Sequence, residues 1–152
     1  MTATHRPSPS KACHQALSDA TLKWPKRNKA KDGIMGDHAH QQRPSDHNSG
    51  NAFDLTHDPA NGVDCHILAN LVTQDPRVTY VIWNRRIYNR DVPGGWRPYH
   101  GPNPHTQHMH VSIKPDSRND FGAWPWSPHF TDWLARRDRQ FPTQPPPVLR
   151  SR

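Results

Sequence analysis

The chain has 152 residues, of which 32% are hydrophobic, and it carries a formal net charge of +7. This length fits one domain; the low apolar content excludes a large core, whereas six Trp residues and patterned apolar segments exclude a fully disordered chain. The excess of Lys and Arg favours a negatively charged partner, such as nucleic acid, an anionic wall polymer or an acidic membrane surface, without choosing among them.

The first part of the chain predicts one helix, one long loop and one strand. Residues 1–10 are polar and are interpreted as a disordered lead. Apolar residues at helical spacing predict a helix over residues 11–22, and the polar residues 26–51 predict a long loop, a kind of segment that is often functional. Alternation over residues 51–55 then predicts a half-buried strand with Asp54 on its polar face.

The middle of the chain predicts the centre of the sheet. An apolar stripe predicts a helix over residues 63–72. The apolar residues 78–83 predict a central strand, which continues as residues 86–88. Residues 89–107 carry four Pro and three Gly and predict another long loop.

A last strand and a last helix complete the predicted domain. Alternation over residues 108–114 predicts a strand whose apolar residues face the core and whose two histidines face the other way. Residues 130–139 predict a basic closing helix, and the Pro- and Arg-rich residues 140–152 are interpreted as a flexible tail. We therefore expect one α+β domain over residues 11–139, with a small antiparallel sheet of roughly four strands, helices packed to one side, and long loops around a cleft.

Two histidines on the last predicted strand indicate a metal site. His108 and His110 occupy alternate positions, so they share one face with Cα atoms about 6.5 Å apart. Catalytic zinc takes three protein ligands, and the others are expected from His47 and Asp54, which a turn at residues 48–50 can bring together. The chain contains no Glu, which excludes the H-E-x-x-H peptidases. The base must then be His or Asp, and whichever of His108 and His110 does not bind the metal is a candidate for that role.

The residues around this site resemble a known family. The run from Ser45 to Asp54 is similar to the S-x-H-x-x-G-x-A-x-D signature of the zinc D-alanyl-D-alanine carboxypeptidase and L-alanyl-D-glutamate endopeptidase family. His108-Met109-His110 resembles the second motif of that family, H-x-H. The likeness covers residues 12–114.

The resemblance implies a fold and a set of roles. The fold would be that of the hedgehog and D-alanyl-D-alanine peptidase group. His47, Asp54 and His110 would bind zinc, His108 would act on the attacking water or on the oxyanion, and Ser45 would help to hold the substrate. Many relatives place Glu or Asp near the last ligand as the base, whereas this chain offers His108 there.

Other residues near the motifs leave alternatives open. Arg43 can pair with a substrate carboxylate through its planar guanidinium, or it can remain solvated. His40 and His105 can line the cleft, although ordinary loop positions are the favoured interpretation. Asp58 either accepts a hydrogen bond from a ligand imidazole or forms a turn with the Pro that follows it.

The predicted function is zinc-dependent hydrolysis of an amide bond in the stem peptides of peptidoglycan, by a monomer with no specific nucleic-acid partner. No signal peptide or transmembrane segment is apparent in the sequence. We therefore expect a phage or prophage endolysin, made in the cytoplasm and released to the wall on lysis. Two alternatives remain: a metal-dependent nuclease, which the charge would suit, and a non-catalytic hedgehog-like zinc-binding module.

Overall fold

The structure, a computed structural model, describes residues 8–35 and 46–140. Its helices are α1 (Lys11–Lys23), α2 (Cys65–Val72) and α3 (Phe130–Gln140). Its strands are β1 (Ala52–Thr56), β2 (Val78–Trp83), β3 (Arg86–Asn89), β4 (Arg97–Pro98) and β5 (His108–Ile113). Three short 3-10 turns cover Asp46–Ser49, Pro59–Asn61 and Pro115–Ser117.

The strands form one antiparallel sheet with the order β1-β5-β2-β3-β4. The predicted α+β class is therefore confirmed. In the pairing of β1 with β5, Asp54 lies opposite His110 and Leu55 lies opposite Met109. Because side chains alternate between the two faces of a sheet, Asp54 and His110 project from one face while Leu55 and Met109 project from the other.

The hydrophobic core lies on the face of the sheet opposite Asp54. Helix α1 contacts β1, and α2 contacts β2 and β5. The strands contribute buried Phe53, Leu55, Val81, Met109, Val111 and Ile113, and the helices contribute buried Ala12, Ala16, Ala20, Leu68, Ala69 and Val72. These two helices thus cover the same face, as the sequence predicts, and the other face is left for polar side chains.

Two tryptophans after β5 close the core against α1. The indole N–H of Trp124 donates to the Ala12 carbonyl at 2.8 Å, and that of Trp126 donates to the Ala16 carbonyl at 2.9 Å. Phe53 meets Trp124 edge-to-face, with ring centroids 5.2 Å apart. Buried indoles need a partner for the N–H, and the α1 carbonyls supply one, so the chain after β5 is fixed to the helix that supports β1.

Most of the predicted elements that fall on described residues agree with the structure, whereas residues 1–7 of the predicted lead, 36–45 of the first long loop and 141–152 of the predicted tail lie outside them. Ser10, at the end of the predicted lead, caps α1 by accepting from the Cys13 backbone N–H, and the first long loop contains the 3-10 turn Asp46–Ser49. The predicted strand 78–83 matches β2, and the predicted helix 63–72 begins two residues later because Asp64 caps α2 by accepting from the backbone N–H of His66 at 2.9 Å. The loop predicted over 89–107 contains β4, which makes the sheet five-stranded rather than four-stranded. A two-residue strand that includes a Pro has no alternation to detect, so its pairing with β3 is a tertiary feature.

The two cysteines are buried and not bonded to each other. Burial raises the pKa of Cys13 to about 11 and that of Cys65 to about 12, so both remain thiols at neutral pH. Both therefore act as small apolar residues of the core. Within the ranges 8–35 and 46–140, no helix has the length and apolar character to cross a membrane.

Candidate metal centre

Three chain segments bring His47, Asp54 and His110 together. The register of β1 against β5 sets Asp54 beside His110. His47 lies in the turn Asp46–Ser49, which is closed by the Asn51 N–H donating to the Asp46 carbonyl at 2.9 Å. Gly50 then adopts a φ of 75°, and a Cβ at this position would collide with the Ser8 carbonyl. Only glycine suits both conditions, so this residue is what folds His47 back over β1.

The donor atoms of these three residues form a tight triangle. His47 Nε2 lies 3.2 Å from Asp54 Oδ1, and His110 Nδ1 lies 3.3 Å from the same oxygen. The two imidazole nitrogens are 3.0 Å apart. Donors around a tetrahedral ion with bonds of 2.0–2.2 Å lie about 3.3–3.6 Å apart. The donor atoms thus lie slightly closer together than they would around such an ion, and a small outward movement of the side chains would let all three bind it.

Hydrogen bonds on the outer side of each imidazole hold these nitrogens in position. His47 Nδ1 donates to the Ile34 carbonyl at 2.6 Å, so in the neutral ring Nε2 keeps its lone pair. His110 Nε2 pairs with Ser112 Oγ at 2.8 Å, and the ring stacks on Tyr80 with centroids 5.4 Å apart. Such outer partners fix the tautomer and orientation of metal-binding histidines. The arrangement is therefore one that can hold a metal ion.

The electrostatics of the triangle keep its carboxylate charged. Burial alone would raise the pKa of Asp54, but hydrogen bonds from His110 and His47 outweigh it and hold this pKa well below its usual range. Burial likewise opposes protonation of His47, yet the Asp54 carboxylate raises the pKa of His47 above its ordinary value. Protonated His47 and a bound cation would both be stabilised by the Asp54 carboxylate, so protons should compete with a metal ion for this site.

His108 projects from the same face as Asp54, next to the triangle. Its Nε2 lies 3.7 Å from Asp54 Oδ2, whereas His47 and His110 contact Oδ1 of the same carboxylate. Burial lowers the pKa of His108, and the nearby carboxylate only partly offsets this. His108 is therefore a neutral imidazole at pH 7, within reach of a molecule bound at the triangle.

His105 completes this polar face from the loop between β4 and β5. It is only 8% exposed, and its ring lies 4.9 Å from that of His108 and 5.7 Å from that of His110, measured between centroids. Burial and the neighbouring His110 lower the pKa of His105 to about 4. A fourth imidazole thus lies at the site, in neutral form at pH 7.

No curated protein and no solved structure matches this chain. A family model described as the VldE C-terminal domain matches residues 9–110, about two thirds of the sequence. The chain belongs to the VldE C-terminal domain family. The matched range includes every residue of the triangle, although the family description names neither a substrate nor a metal.

The predicted site residues of this VldE-family chain have different outcomes. The structure brings together the predicted ligands His47, Asp54 and His110, and it places His108 beside them. Ser45 and Arg43, the predicted substrate contacts, lie outside the described residues, as does His40. Asp58 accepts from the Asn28 backbone N–H at 2.9 Å and from the Asn61 side chain at 2.8 Å, so it has the turn role and not that of a partner to a ligand imidazole.

Three groups of the VldE-family site have no predicted role in it: His105, the Ile34 carbonyl and Ser112. The sequence favours an ordinary loop position for His105, because loop sequences carry no periodicity that tells where a side chain points. The Ile34 carbonyl, which fixes His47, is a backbone atom and leaves no sequence signal. Ser112 did have one: it follows His110 by two positions and therefore shares its face of β5.

A second histidine cluster in this VldE-family chain, formed by His57, Asp64 and His66, stabilises the fold through hydrogen bonds to the backbone and to Trp83. His57 Nδ1 accepts from the Cys65 backbone N–H at 3.0 Å, and His66 Nδ1 accepts from the Trp83 indole N–H at 3.2 Å. Each neutral ring then carries its proton on Nε2 and has no lone pair left for a metal. Asp64, the acid of this cluster, caps α2.

The low pKa of His105 predicts how the stability of the metal-free protein depends on pH. The unfolded chain takes up this proton near pH 6.5, whereas the folded protein does so only near pH 4. Because the unfolded state binds more protons between these values, the free energy of unfolding falls as the pH is lowered through this window. At about 1.4 kcal/mol per pKa unit, the contribution of His105 to this fall is on the order of 2 kcal/mol. Urea unfolding at pH 7 and pH 4.5 should show a smaller drop for His105→Asn than for the wild type, and equal drops would contradict the assignment.

Proposed function

We propose that this domain is a zinc-dependent peptidase that hydrolyses an amide bond in the stem peptides of peptidoglycan. The single observation that carries the proposal is the triangle of His47, Asp54 and His110, with the neutral His108 on the same face of the sheet. It supports the proposal because the sequence resembles zinc peptidases in these positions. The order and spacing of the signature agree with that family over both motifs.

The donor set favours zinc among the common divalent cations. Two imidazoles and one carboxylate are ligands that suit Zn²⁺, whereas Mg²⁺ and Ca²⁺ prefer sites made of oxygen atoms. Three protein ligands leave a fourth position for water or substrate, as in catalytic zinc sites. Bound zinc would supply a nucleophile near neutral pH by lowering the pKa of its water to about 7, and would polarise the scissile carbonyl.

His108 is the group of the chain that we assign to proton transfer. It can accept the proton of the attacking water and return it to the leaving amine, because burial keeps its imidazole neutral at pH 7. In its protonated form it would stabilise the negative charge that develops on the carbonyl oxygen. Asp54, with its pKa held well below the usual range, remains a carboxylate throughout and takes no proton.

The resemblance and the positive charge of the chain both support stem peptides as the substrate class. Stem peptides are cut by the peptidases that the two motifs resemble. The formal charge of +7 favours approach to an anionic wall. Arg43 remains the candidate for pairing with a substrate carboxylate.

Digestion of purified peptidoglycan tests the proposed function. Metal-stripped protein should release no peptide, and protein reloaded with one equivalent of Zn²⁺ should release fragments whose masses identify the cleaved bond. The same preparation should leave plasmid DNA intact. Nicked plasmid with intact wall would favour a nuclease, and retained zinc without turnover on any wall preparation would favour a hedgehog-like binding module; either result would overturn the proposal.

A further inference from the structure

The second oxygen of Asp54 faces a separate set of donors. Oδ1 contacts the nitrogens of His47 and His110, whereas Oδ2 faces His108 Nε2 at 3.7 Å. The metal-binding atoms of Asp54, His105 and His108 all lie within 4.8 Å of one another. A carboxylate can bind two cations through its two oxygens, so the triangle does not use all of the ligand capacity at this face.

His105 is held in place for such a role by its loop. Its Nδ1 donates to the Asn103 carbonyl at 2.7 Å, which leaves the lone pair of the neutral ring on Nε2. Its backbone has a φ of 56°, an uncommon conformation for a residue with a Cβ. Two backbone hydrogen bonds maintain it: the His105 N–H donates to Asn103 Oδ1 at 3.0 Å, and the His105 carbonyl accepts from the Asn84 N–H at 2.8 Å.

We propose that Asp54 Oδ2, His105 and His108 form a second divalent-cation site, weaker than the triangle, whose occupancy removes His108 from the reaction. The second site is weaker because two divalent cations would share one carboxylate, and the four imidazoles around them bring no negative charge. An imidazole nitrogen that binds a cation has no lone pair left for a proton. Excess metal should therefore inhibit the peptidase. This inhibition rests on the proposed function, whereas the second binding event does not.

Zinc titration of the metal-free protein tests the site without any substrate. Calorimetry on the wild type should give one tight site and a second site at least 10-fold weaker. His105→Asn removes the imidazole while keeping a residue that tolerates positive φ, and it should lose the weak site and retain the tight one. His100→Asn, an exposed histidine of the same loop, serves as the matched control and should bind like the wild type.

A His66→Ala variant separates this site from the second histidine cluster. Loss of the weak site in His66→Ala but not in His105→Asn would assign that site to the cluster of His57 and His66 and overturn the proposal. A wild type that binds a single equivalent would also overturn it. Circular dichroism of each variant checks that the fold is kept.

Activity gives a second readout where the proposed function holds. Peptide release by the wild type should fall at least 10-fold as Zn²⁺ rises from one equivalent to a large excess, whereas peptide release by His105→Asn, expressed relative to the variant's own rate at one equivalent, should change little over the same range. If no peptide is released at any zinc level, the proposed function fails, and the calorimetric result still decides whether the second site exists. Equal inhibition of the wild type and His105→Asn would contradict the proposed role of His105.

Discussion

Asp54→Ala is expected to abolish metal retention and peptide hydrolysis together. Asp54 supplies the only negative charge of the triangle, and its Oδ1 lies 3.2 Å and 3.3 Å from the two imidazole nitrogens that would share the cation. Removing a residue that only hydrogen-bonds to a metal ligand typically lowers metal affinity about 10–100-fold, and removing the ligand itself should lower it further. We therefore expect metal affinity to fall more than about 100-fold. Metal analysis after dialysis against one equivalent of Zn²⁺ measures this directly.

Asp91→Ala is the matched control for that experiment. Asp91 is an exposed aspartate outside the site, so its loss should leave the metal content and the activity unchanged. Removal of Asp54 should also lower the pKa of His47 in the metal-free protein, because the carboxylate is what raises it. An NMR titration of the imidazole follows this change. Full zinc retention by a folded Asp54→Ala variant would refute the triangle as a metal centre.

His108→Ala is expected to keep the metal and lose turnover. The side chain lies beside the triangle without being part of it, at 3.7 Å from Asp54 Oδ2. General acid-base groups contribute typically about 10²–10⁴-fold to rate, and we expect a fall in kcat of that size. The measurement is release of peptides from purified peptidoglycan, quantified by mass spectrometry at one equivalent of Zn²⁺.

His129→Ala controls for the general effect of removing a histidine. His129 is exposed and lies outside the site, so this variant should match the wild type in both metal content and turnover. Unchanged kcat in His108→Ala would exclude the proton-transfer role. Loss of the tightly bound metal in His108→Ala would instead make His108 a ligand of the triangle and contradict the assignment of His110.

The fold could be predicted where periodicity is strong. Alternation in β1 and β5 indicated which residues face the core, and the structure buries Phe53, Leu55, Met109 and Val111 accordingly. Helix positions followed from the spacing of apolar residues. The short strand β4 and the conformation of His105 could not be predicted, because both depend on hydrogen bonds to other segments of the chain. Strand β4 pairs with β3, and the His105 carbonyl accepts a hydrogen bond from the Asn84 N–H.

Local sequence patterns predict the components of the site: two histidines that alternation places on one strand face, an aspartate on another strand, and a glycine-containing turn that returns a third histidine. These are local features, set by the two-residue period of a strand and by the conformational freedom of Gly50. Tertiary packing adds three features that these patterns do not contain: Asp54 lies opposite His110, the Ile34 carbonyl fixes the His47 tautomer, and His105 lies beside His108. Alternation fixes which face of the sheet a residue occupies, but the choice of partner strand and the placement of the loops result from packing between residues far apart in the chain.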